Sequence, residues 1–258
     1  KYVVDVFMGI ISLRCIHELF HAFEVKGHHP VRWVGYISAI AIMFIHVIPK
    51  EYAIIAIATI LPLSILALFI VVLSKKTKTD VIDIAITFFG ICYIVLFLMF
   101  MSIIRNMENG KFLIWYVFIS SWLTDVFAYI TGKAIGKHHF TDISPNKTIE
   151  GSIGGAVCAV LGSCVVGLFI SKVYMIDVKW YIPVIAGFLC TVFAQIGDLC
   201  ESLLKRDAGV KDSGNSLPGH GGFLDRTDSF IFTIPVMYYF CKYFVFSHDI
   251  VNCIKGLF

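Results

Sequence analysis

Residues 52–73 read YAIIAIATILPLSILALFIVVL, a continuous apolar run without a charged residue. An α-helix of ~20 residues crosses the hydrocarbon core of a bilayer, so this run predicts a membrane-spanning helix. The rest of the chain agrees, because 58% of its 258 residues are hydrophobic, 15% are charged and the mean hydropathy is +0.84. A soluble domain of this length could not bury so much apolar surface. We therefore expect an integral membrane protein.

Seven further apolar runs predict an all-α, polytopic fold with about eight transmembrane helices. The chain is already apolar at Val3, which leaves room for one more helix upstream. We expect one continuous membrane domain, with N-terminal helices in 1–110 and a catalytic region in 111–258 that carries the loops 132–150 and 201–228. The predicted spans are 2–23, 34–48, 52–73, 81–104, 112–131, 151–173, 180–200 and 229–247.

The loops on one side of the predicted membrane are much more basic than those on the other. Because cytoplasmic loops of membrane proteins are enriched in Lys and Arg, this side is predicted to be cytoplasmic. The small residues Gly151, Gly155, Cys158 and Gly162 form a stripe that allows close helix packing and favours a homodimer. None of the eight cysteines forms a C-x-x-C pair, so we expect reduced packing residues.

Polar chemistry concentrates in 205–228, which reads KRDAGVKDSGNSLPGHGGFLDRTD. Its glycines allow the backbone to approach a ligand, and its Lys and Arg side chains can neutralise phosphate oxygens. Its carboxylates are the hard oxygen ligands that Mg²⁺ prefers when it is shared with a phosphate. The mixture of acids and bases predicts a site for metal and polyphosphate.

Three other segments add polar groups. Asp125 interrupts the apolar run 119–130, and an ionisable residue in a membrane span needs a partner. Asp198 ends another apolar run, and Glu201 and Lys205 follow it at helical spacing, which an ordinary surface ion pair would also explain. The basic segment 132–151 precedes a predicted helix and could hold an anion at its start or bind acidic lipid headgroups.

The run from Ser202 to Asp228 resembles the signature of the phosphatidate cytidylyltransferases, also called CDP-diacylglycerol synthases. The matching residues are Ser202, Leu204 to Arg206, Lys211, Asp212, Gly214, Leu217, Pro218, His220 to Phe223 and Asp225 to Asp228. Asp125 with Ala128, Tyr129 and Gly132, the segment 144–151, and Gly197 with Asp198 are also similar to that family. The resemblance is specific over about residues 120–228.

The resemblance implies a membrane enzyme that joins CTP to phosphatidic acid with Mg²⁺, as one or two ions, and releases pyrophosphate. The expected partners are CTP, phosphatidic acid and membrane lipid, without nucleic acid, and the active site is expected to face the cytoplasm. Implied catalytic residues are Asp125, Asp198, Asp225, Lys205, Lys211 and His220. Implied metal ligands are Asp198 and Asp225, with Asp212 and Asp228 as further candidates. Implied substrate-binding residues are Lys137, Ser144, Lys147, Thr148, Ser202, Arg206, Gly221, Gly222 and Arg226.

Other functions remain open at this point. His17-Glu18-Leu19-Phe20-His21 matches the H-E-x-x-H pattern of zinc proteases, although polar groups at a helix end explain it as well. An ion transporter would also place Asp125 and Asp198 in the membrane, but it would not need the phosphate-binding loops. A polyprenol or dolichol kinase, or a synthase of CDP-linked ether lipids, would use CTP with another lipid acceptor.

Overall fold

Helices account for most of the residues that the computed structural model describes. Its α-helices are α1 (Tyr2–Val25), α2 (Arg32–Met43), α3 (Lys50–Leu73), α4 (Val81–Gly90), α5 (Phe97–Arg105), α6 (Gly110–Ile135), α7 (Ile149–Tyr174), α8 (Tyr181–Ala208) and α9 (Leu224–Phe240). A 3₁₀ turn follows α2, and π-helical segments follow α4 and α9. The described residues are 2–74, 78–139, 141, 143–214, 216, 219 and 221–245, without the side chains of 2, 46, 47, 50 and 51.

Helices occupy the described part of all eight predicted segments. Five of these are long and apolar enough to span a membrane: Tyr52–Leu73, Val81–Arg105, Gly110–Ile135, Ile149–Tyr174 and Tyr181–Ala208. The second of these runs through α4, the π-helical segment and α5. Many of their large apolar side chains are exposed, Ile54 and Val165 among them, as expected for surfaces that face lipid. The fold class is therefore confirmed as an all-α membrane protein.

The chain divides into two compact units. Unit 1 contains residues 1–102 and 203–227, and unit 2 contains residues 103–202 and 228–258. Unit 1 joins the N-terminal stretch to a segment that is distant in sequence, whereas the two segments of unit 2 are separated only by residues 203–227. The two units are described separately below, and the boundary predicted near residue 110 stays a prediction.

Unit 1 packs around the buried face of α1. Gly35 of α2 and Gly90 of α4 both approach the ring of Phe20, and a Cβ atom on Gly35 would lie 2.6 Å from that ring. The start of α4 is fixed by a capping box, in which Asp80 accepts from the backbone of Asp83 and the Asp83 side chain accepts from the backbone of Asp80. Asp83 also accepts from the backbone N–H of His29, at 2.7 Å, and so holds the chain that leads into α2.

Unit 2 depends on close contact between α6 and α7. A Cβ atom on Gly151 would lie 2.6 Å from the carbonyl oxygen of Ala128, and one on Gly155 would lie 2.7 Å from that of Thr124. The predicted small-residue stripe is thus confirmed as a packing surface. Since it faces α6 of the same chain, it no longer supports a homodimer.

Buried hydroxyl groups add polar contacts between the helices of unit 2. Ser120 of α6 lies 2.7 Å from Ser163 of α7, and Thr124 of α6 donates to Thr191 of α8 at 2.8 Å. Such pairs satisfy polar groups that would otherwise be exposed to an apolar environment. The cysteines of the described residues are all free, which confirms the prediction for all except Cys253, which lies outside them.

Candidate active site

The carboxylate of Asp225 organises the polar loop of unit 1. Asp225 lies in the first turn of α9, and its oxygens accept hydrogen bonds from Lys205 Nζ at 2.8 Å and from the backbone N–H of Gly222 at 2.8 Å. It also accepts from the backbone N–H of Ser213, at 3.0 Å, and from the Ser213 hydroxyl, at 3.3 Å. Asp225 and Lys205, each predicted to be catalytic, are therefore brought together, and Gly222 contributes its backbone N–H.

A cavity of about 770 Å³ lies in unit 1, beside Asp225 and its hydrogen-bond donors. Its lining residues include Lys211, Asp212, Gly221 and Arg226, which the sequence predicted to bind metal or substrate. The Lys211, Asp212 and Arg226 side chains are exposed, so their charged groups can reach a ligand that enters from solvent. Arginine and lysine near glycine-rich backbone are suited to bind phosphate oxygens.

Residues of α1 also line or support this loop. His21 lines the same cavity as Lys211 and Arg226. Glu18 is 2% exposed, and its carboxyl oxygens accept from the Ser216 hydroxyl at 2.5 Å and from the backbone N–H groups of Phe223 at 3.0 Å and Leu224 at 2.8 Å. The expectation that Glu18 lies among polar groups at a helix end was wrong, because the chain folds a distant loop over it.

In unit 2, Lys147 and Asp198 form an ion pair. Lys147 Nζ lies 2.5 Å from Asp198 Oδ2, and both side chains are partly buried, with 24% and 34% of their surface exposed. Lys147 comes from the loop before α7, whereas Asp198 belongs to α8. The fold thus brings together two residues, predicted to bind phosphate and metal respectively, that are far apart in sequence.

Further carboxylates of unit 2 lie close together. The Ser229 hydroxyl donates to Asp125 at 3.0 Å and is 3.3 Å from Asp228, so one serine contacts both acids. Asp198 and Asp125 are each close enough to Asp228 for their negative charges to repel. Glu201, which is fully buried, adds to that repulsion. Such a concentration of negative charge favours a cation.

The residues before α7 that the sequence predicted to bind an anion form hydrogen bonds with other protein groups in the structure. The hydroxyl oxygen of Thr148 is the N-cap of α7 and accepts from the backbone N–H of Gly151 at 3.1 Å. Glu150 accepts from the backbone N–H of Lys137 at 3.2 Å, and the carbonyl oxygen of Ser144 accepts from the N–H of Lys147. Thr148 and Ser144 therefore shape the loop that presents Lys147, and their predicted substrate contacts stay predictions.

The remaining predicted site residues are less constrained. Ser202 is half-buried near the end of α8, and Arg206 is exposed one turn later. His220 lies outside the described residues. Asp198 and Asp225, the predicted metal pair, fall in different units.

The acidic residues fit a metal that takes part of its coordination from a substrate. Within the described residues, no group of three or more His, Cys, Asp or Glu side chains is arranged to hold a metal ion. Mg²⁺ is usually held by one or two carboxylates together with water and substrate phosphates, so it does not need such a group. A catalytic zinc is held by three protein ligands and does need such a group, and His17 instead lies 2.7 Å from the hydroxyl of Tyr36. The described residues thus lack support for the zinc protease alternative.

Sequence reasoning missed several residues that organise these clusters. Ser213, Ser229 and Gly197 had no assigned role, yet Ser213 contacts Asp225 and Ser229 contacts Asp125. Gly197 packs against the backbone of Asp228 so closely that a Cβ atom would lie 2.4 Å from its carbonyl oxygen. Each is adjacent in sequence to a predicted acidic residue, and that adjacency was the only available signal.

The fold and these clusters define an α-helical membrane protein with acidic and basic side chains suited to metal and phosphate. The sequence model of the Cytidylyltransferase family matches residues 1–244. The chain is 36% identical over 242 residues to a phosphatidate cytidylyltransferase of Staphylococcus aureus (strain COL), covering 91% of this chain and 88% of that protein. The proteins of the same name from Staphylococcus haemolyticus and Staphylococcus epidermidis are 35% and 34% identical, over 90% and 91% of this chain and 86% and 88% of theirs. The chain therefore belongs to the cytidylyltransferase family.

Proposed function

We propose that this protein transfers CMP from CTP to phosphatidic acid, giving CDP-diacylglycerol and pyrophosphate for phospholipid synthesis. Family membership and the names of its relatives support this activity. The structural observation that carries it is the cavity of unit 1, where Lys211 and Arg226 stand beside Asp212 and a glycine-rich backbone. That combination matches the needs of a polyphosphate ligand.

The chemistry of the reaction explains why these residues suffice. The phosphate monoester of phosphatidic acid is already an anionic nucleophile, with a second pKa of about 6, so no activated Ser or Cys is needed. The obstacle is the repulsion between two anionic reactants as the lipid phosphate approaches the α-phosphorus of CTP. Lys211 and Arg226, which line the cavity of unit 1, would supply positive charge there, and Lys147 is a separate candidate within unit 2. Lys205, Arg206 and His220 are further candidates for contacts with the leaving pyrophosphate.

Magnesium is the proposed cofactor. When bound, it would neutralise phosphate charge and orient the phosphate oxygens. Asp198 and Asp228 of unit 2 are candidates to hold it, with Asp125 beside them, and Asp212 and Asp225 are the candidates of unit 1. In the described structure, Asp198 is paired with Lys147 and Asp225 with Lys205, so metal binding would compete with these pairs.

The membrane arrangement is proposed from the loops. Eight spanning helices would place 132–150 and 201–228 on one side, and their basic character favours the cytoplasm, where CTP is found. Phosphatidic acid would then reach the polar clusters from the inner leaflet while its acyl chains stay in lipid. A homodimer stays a prediction.

The decisive experiment is product analysis with the purified protein in detergent micelles. CTP radiolabelled in its cytidine group is incubated with phosphatidic acid, either with Mg²⁺ or with a chelator. The lipid and soluble products are then separated. We expect a labelled CDP-lipid and unlabelled pyrophosphate, formed only with both substrates and Mg²⁺. CDP together with a phosphorylated lipid would instead identify a CTP-dependent lipid kinase and overturn the proposal.

A further inference from the structure

We infer that Glu18 of α1 is a positioning residue for the active-site loop 213–224. Its carboxyl group accepts from Ser216, in the middle of this loop, and from Phe223 and Leu224, where the loop enters α9. Asp225 follows directly in sequence. A carboxylate from the first helix of the chain thus fixes the backbone that carries a predicted catalytic residue of the C-terminal region. This inference rests on the proposed function for its kinetic consequences, but not for its structural ones.

Glu18 supplies hydrogen-bond acceptors for the end of the loop. The first N–H groups of an α-helix lack partners within the helix and need an acceptor from elsewhere. Leu224 N–H is the first such group of α9 and donates to Glu18 Oε2, and Phe223 N–H donates to Glu18 Oε1. Because a carboxylate near a helix N-terminus also interacts favourably with the helix dipole, Glu18 fixes both the position and the direction of the first turn.

Two glycines of the loop pack closely against the carboxyl group of Glu18. A Cβ atom on Gly222 would lie 2.4 Å from Glu18 Oε2, and one on Gly214 would lie 2.9 Å from Glu18 Cδ. Glycine at these positions therefore lets the loop close over the carboxyl group. The glycine-rich character of the signature, read from sequence as freedom to approach a ligand, serves in part to enclose Glu18.

Glu18 and Asp225 hold alternate points of the same loop. Asp225 accepts from Ser213 and Gly222, whereas Glu18 accepts from Ser216, Phe223 and Leu224. Lys211, Asp212 and Arg226, which line the cavity, lie just outside this doubly held segment. A loop released by loss of Glu18 would leave these charged groups without a fixed geometry.

A second contact sets the register of α1 against α9. Cys15 Sγ lies 3.2 Å from Thr227 Oγ1. Cys15 precedes Glu18 by three residues in α1, and Thr227 follows Leu224 by three residues in α9. Residues three apart lie on the same face of a helix, so both contacts belong to one interface. The H-E-x-x-H pattern thus contains a structural Glu that faces the signature loop.

The test compares Glu18→Gln with the parent protein by hydrogen–deuterium exchange in micelles. Glutamine keeps the size of the side chain, but it has only one acceptor oxygen and so cannot accept from both Phe223 and Leu224 as Glu18 does. We expect peptides that cover 213–226 to exchange about tenfold faster, because local opening governs exchange at these amides, while peptides of α6 and α7 stay unchanged. Equal exchange in 213–226 would overturn the inference, whether or not the protein makes CDP-lipid.

Kinetics provide the second readout, on CDP-lipid formation from CTP and phosphatidic acid. A loop displaced by about 1 Å can lower turnover by roughly 100-fold, so Glu18→Gln should lower kcat/KM for CTP by that order in a protein that still folds and melts cooperatively. Glu24→Gln is the matched control, because Glu24 lies on the same helix but pairs with Arg32. This variant should keep the kcat/KM for CTP and the melting temperature of the parent protein. A Glu18→Gln protein with parental kcat/KM, or with a loss matched by Glu24→Gln, would contradict the positioning role. If the parent makes no CDP-lipid, the proposed function fails and the exchange experiment still decides the role of Glu18.

Discussion

Replacing Gly197 by Ala adds one methyl group where α8 packs against Asp228 of α9, within unit 2. The new Cβ atom would lie 2.4 Å from the carbonyl oxygen of Asp228 and 3.2 Å from its carbonyl carbon, whereas ordinary contact begins at 3.4 Å. The obstructing atoms are backbone, so no side-chain rotation can relieve the overlap. The backbone at Asp228 must therefore move by about 1 Å.

A displacement of this size should lower the stability of the protein only slightly and its activity strongly. Overpacking costs typically about 1–3 kcal/mol, but Ala in a helix is favoured over Gly by about 1 kcal/mol, so the net loss of stability should be at most about 2 kcal/mol. Displacing a site residue by about 1 Å can lower the rate by roughly 100-fold. We expect a folded protein with much reduced CDP-lipid formation, measured with labelled CTP alongside thermal melting.

Gly9→Ala is the matched control. Gly9 also lies within a helix, but its nearest neighbour is Met43 Cβ, at 3.8 Å, which leaves room for a methyl group. This variant should keep full turnover and melt at the same or a higher temperature. Near-normal turnover of Gly197→Ala would refute the argument that close packing at Asp228 positions the site.

Three further predictions concern charge and metal. Lys147→Gln removes the cation 2.5 Å from Asp198. Because a hydrogen bond to a charged group contributes about 1.5–3 kcal/mol, kcat/KM for CTP should fall at least about tenfold. Parental kinetics would limit the pair of Lys147 and Asp198 to a structural role. Asp225→Asn replaces one of the two acceptor oxygens by an amide donor, which then faces either Lys205 or Gly222, and it should lower product formation by roughly 100-fold. Near-normal turnover would count against a catalytic role of Asp225. Chelation should abolish product formation and added Mg²⁺ should restore it; activity that persists in chelator would exclude the metal requirement.

The helices could be predicted from sequence because their signal is local. An apolar run of ~20 residues identifies a span by its own length and composition, and all eight predicted segments contain helix. The start of α7 was predicted at 151, two residues late, and Thr148, predicted to bind substrate, is the N-cap of this helix. Asp125 and Asp198 stood out because charged groups are costly in apolar surroundings, and Asp225 stood out as part of the polar segment 205–228.

Partners of these residues could not be predicted, because hydrogen bonding between distant segments depends on packing. Glu18 and Leu224 are 206 residues apart in the chain, and nothing near Glu18 indicates which N–H groups it accepts. Likewise, Glu201 and Lys205 have the spacing of a helical ion pair, yet Lys205 donates to Asp225 of α9.

Sequence alone determined the chemical class of this protein: a helical membrane protein whose polar residues resemble those of a CTP-dependent lipid enzyme. This was possible because hydropathy and residue type are properties of the chain itself. Only the tertiary structure decided that Glu18 holds the signature loop, that Ser229 joins Asp125 to Asp228, and that Gly197 must lack a side chain. The physical reason is that hydrogen bonds and steric contacts act over a few ångströms in space, whatever the distance along the chain.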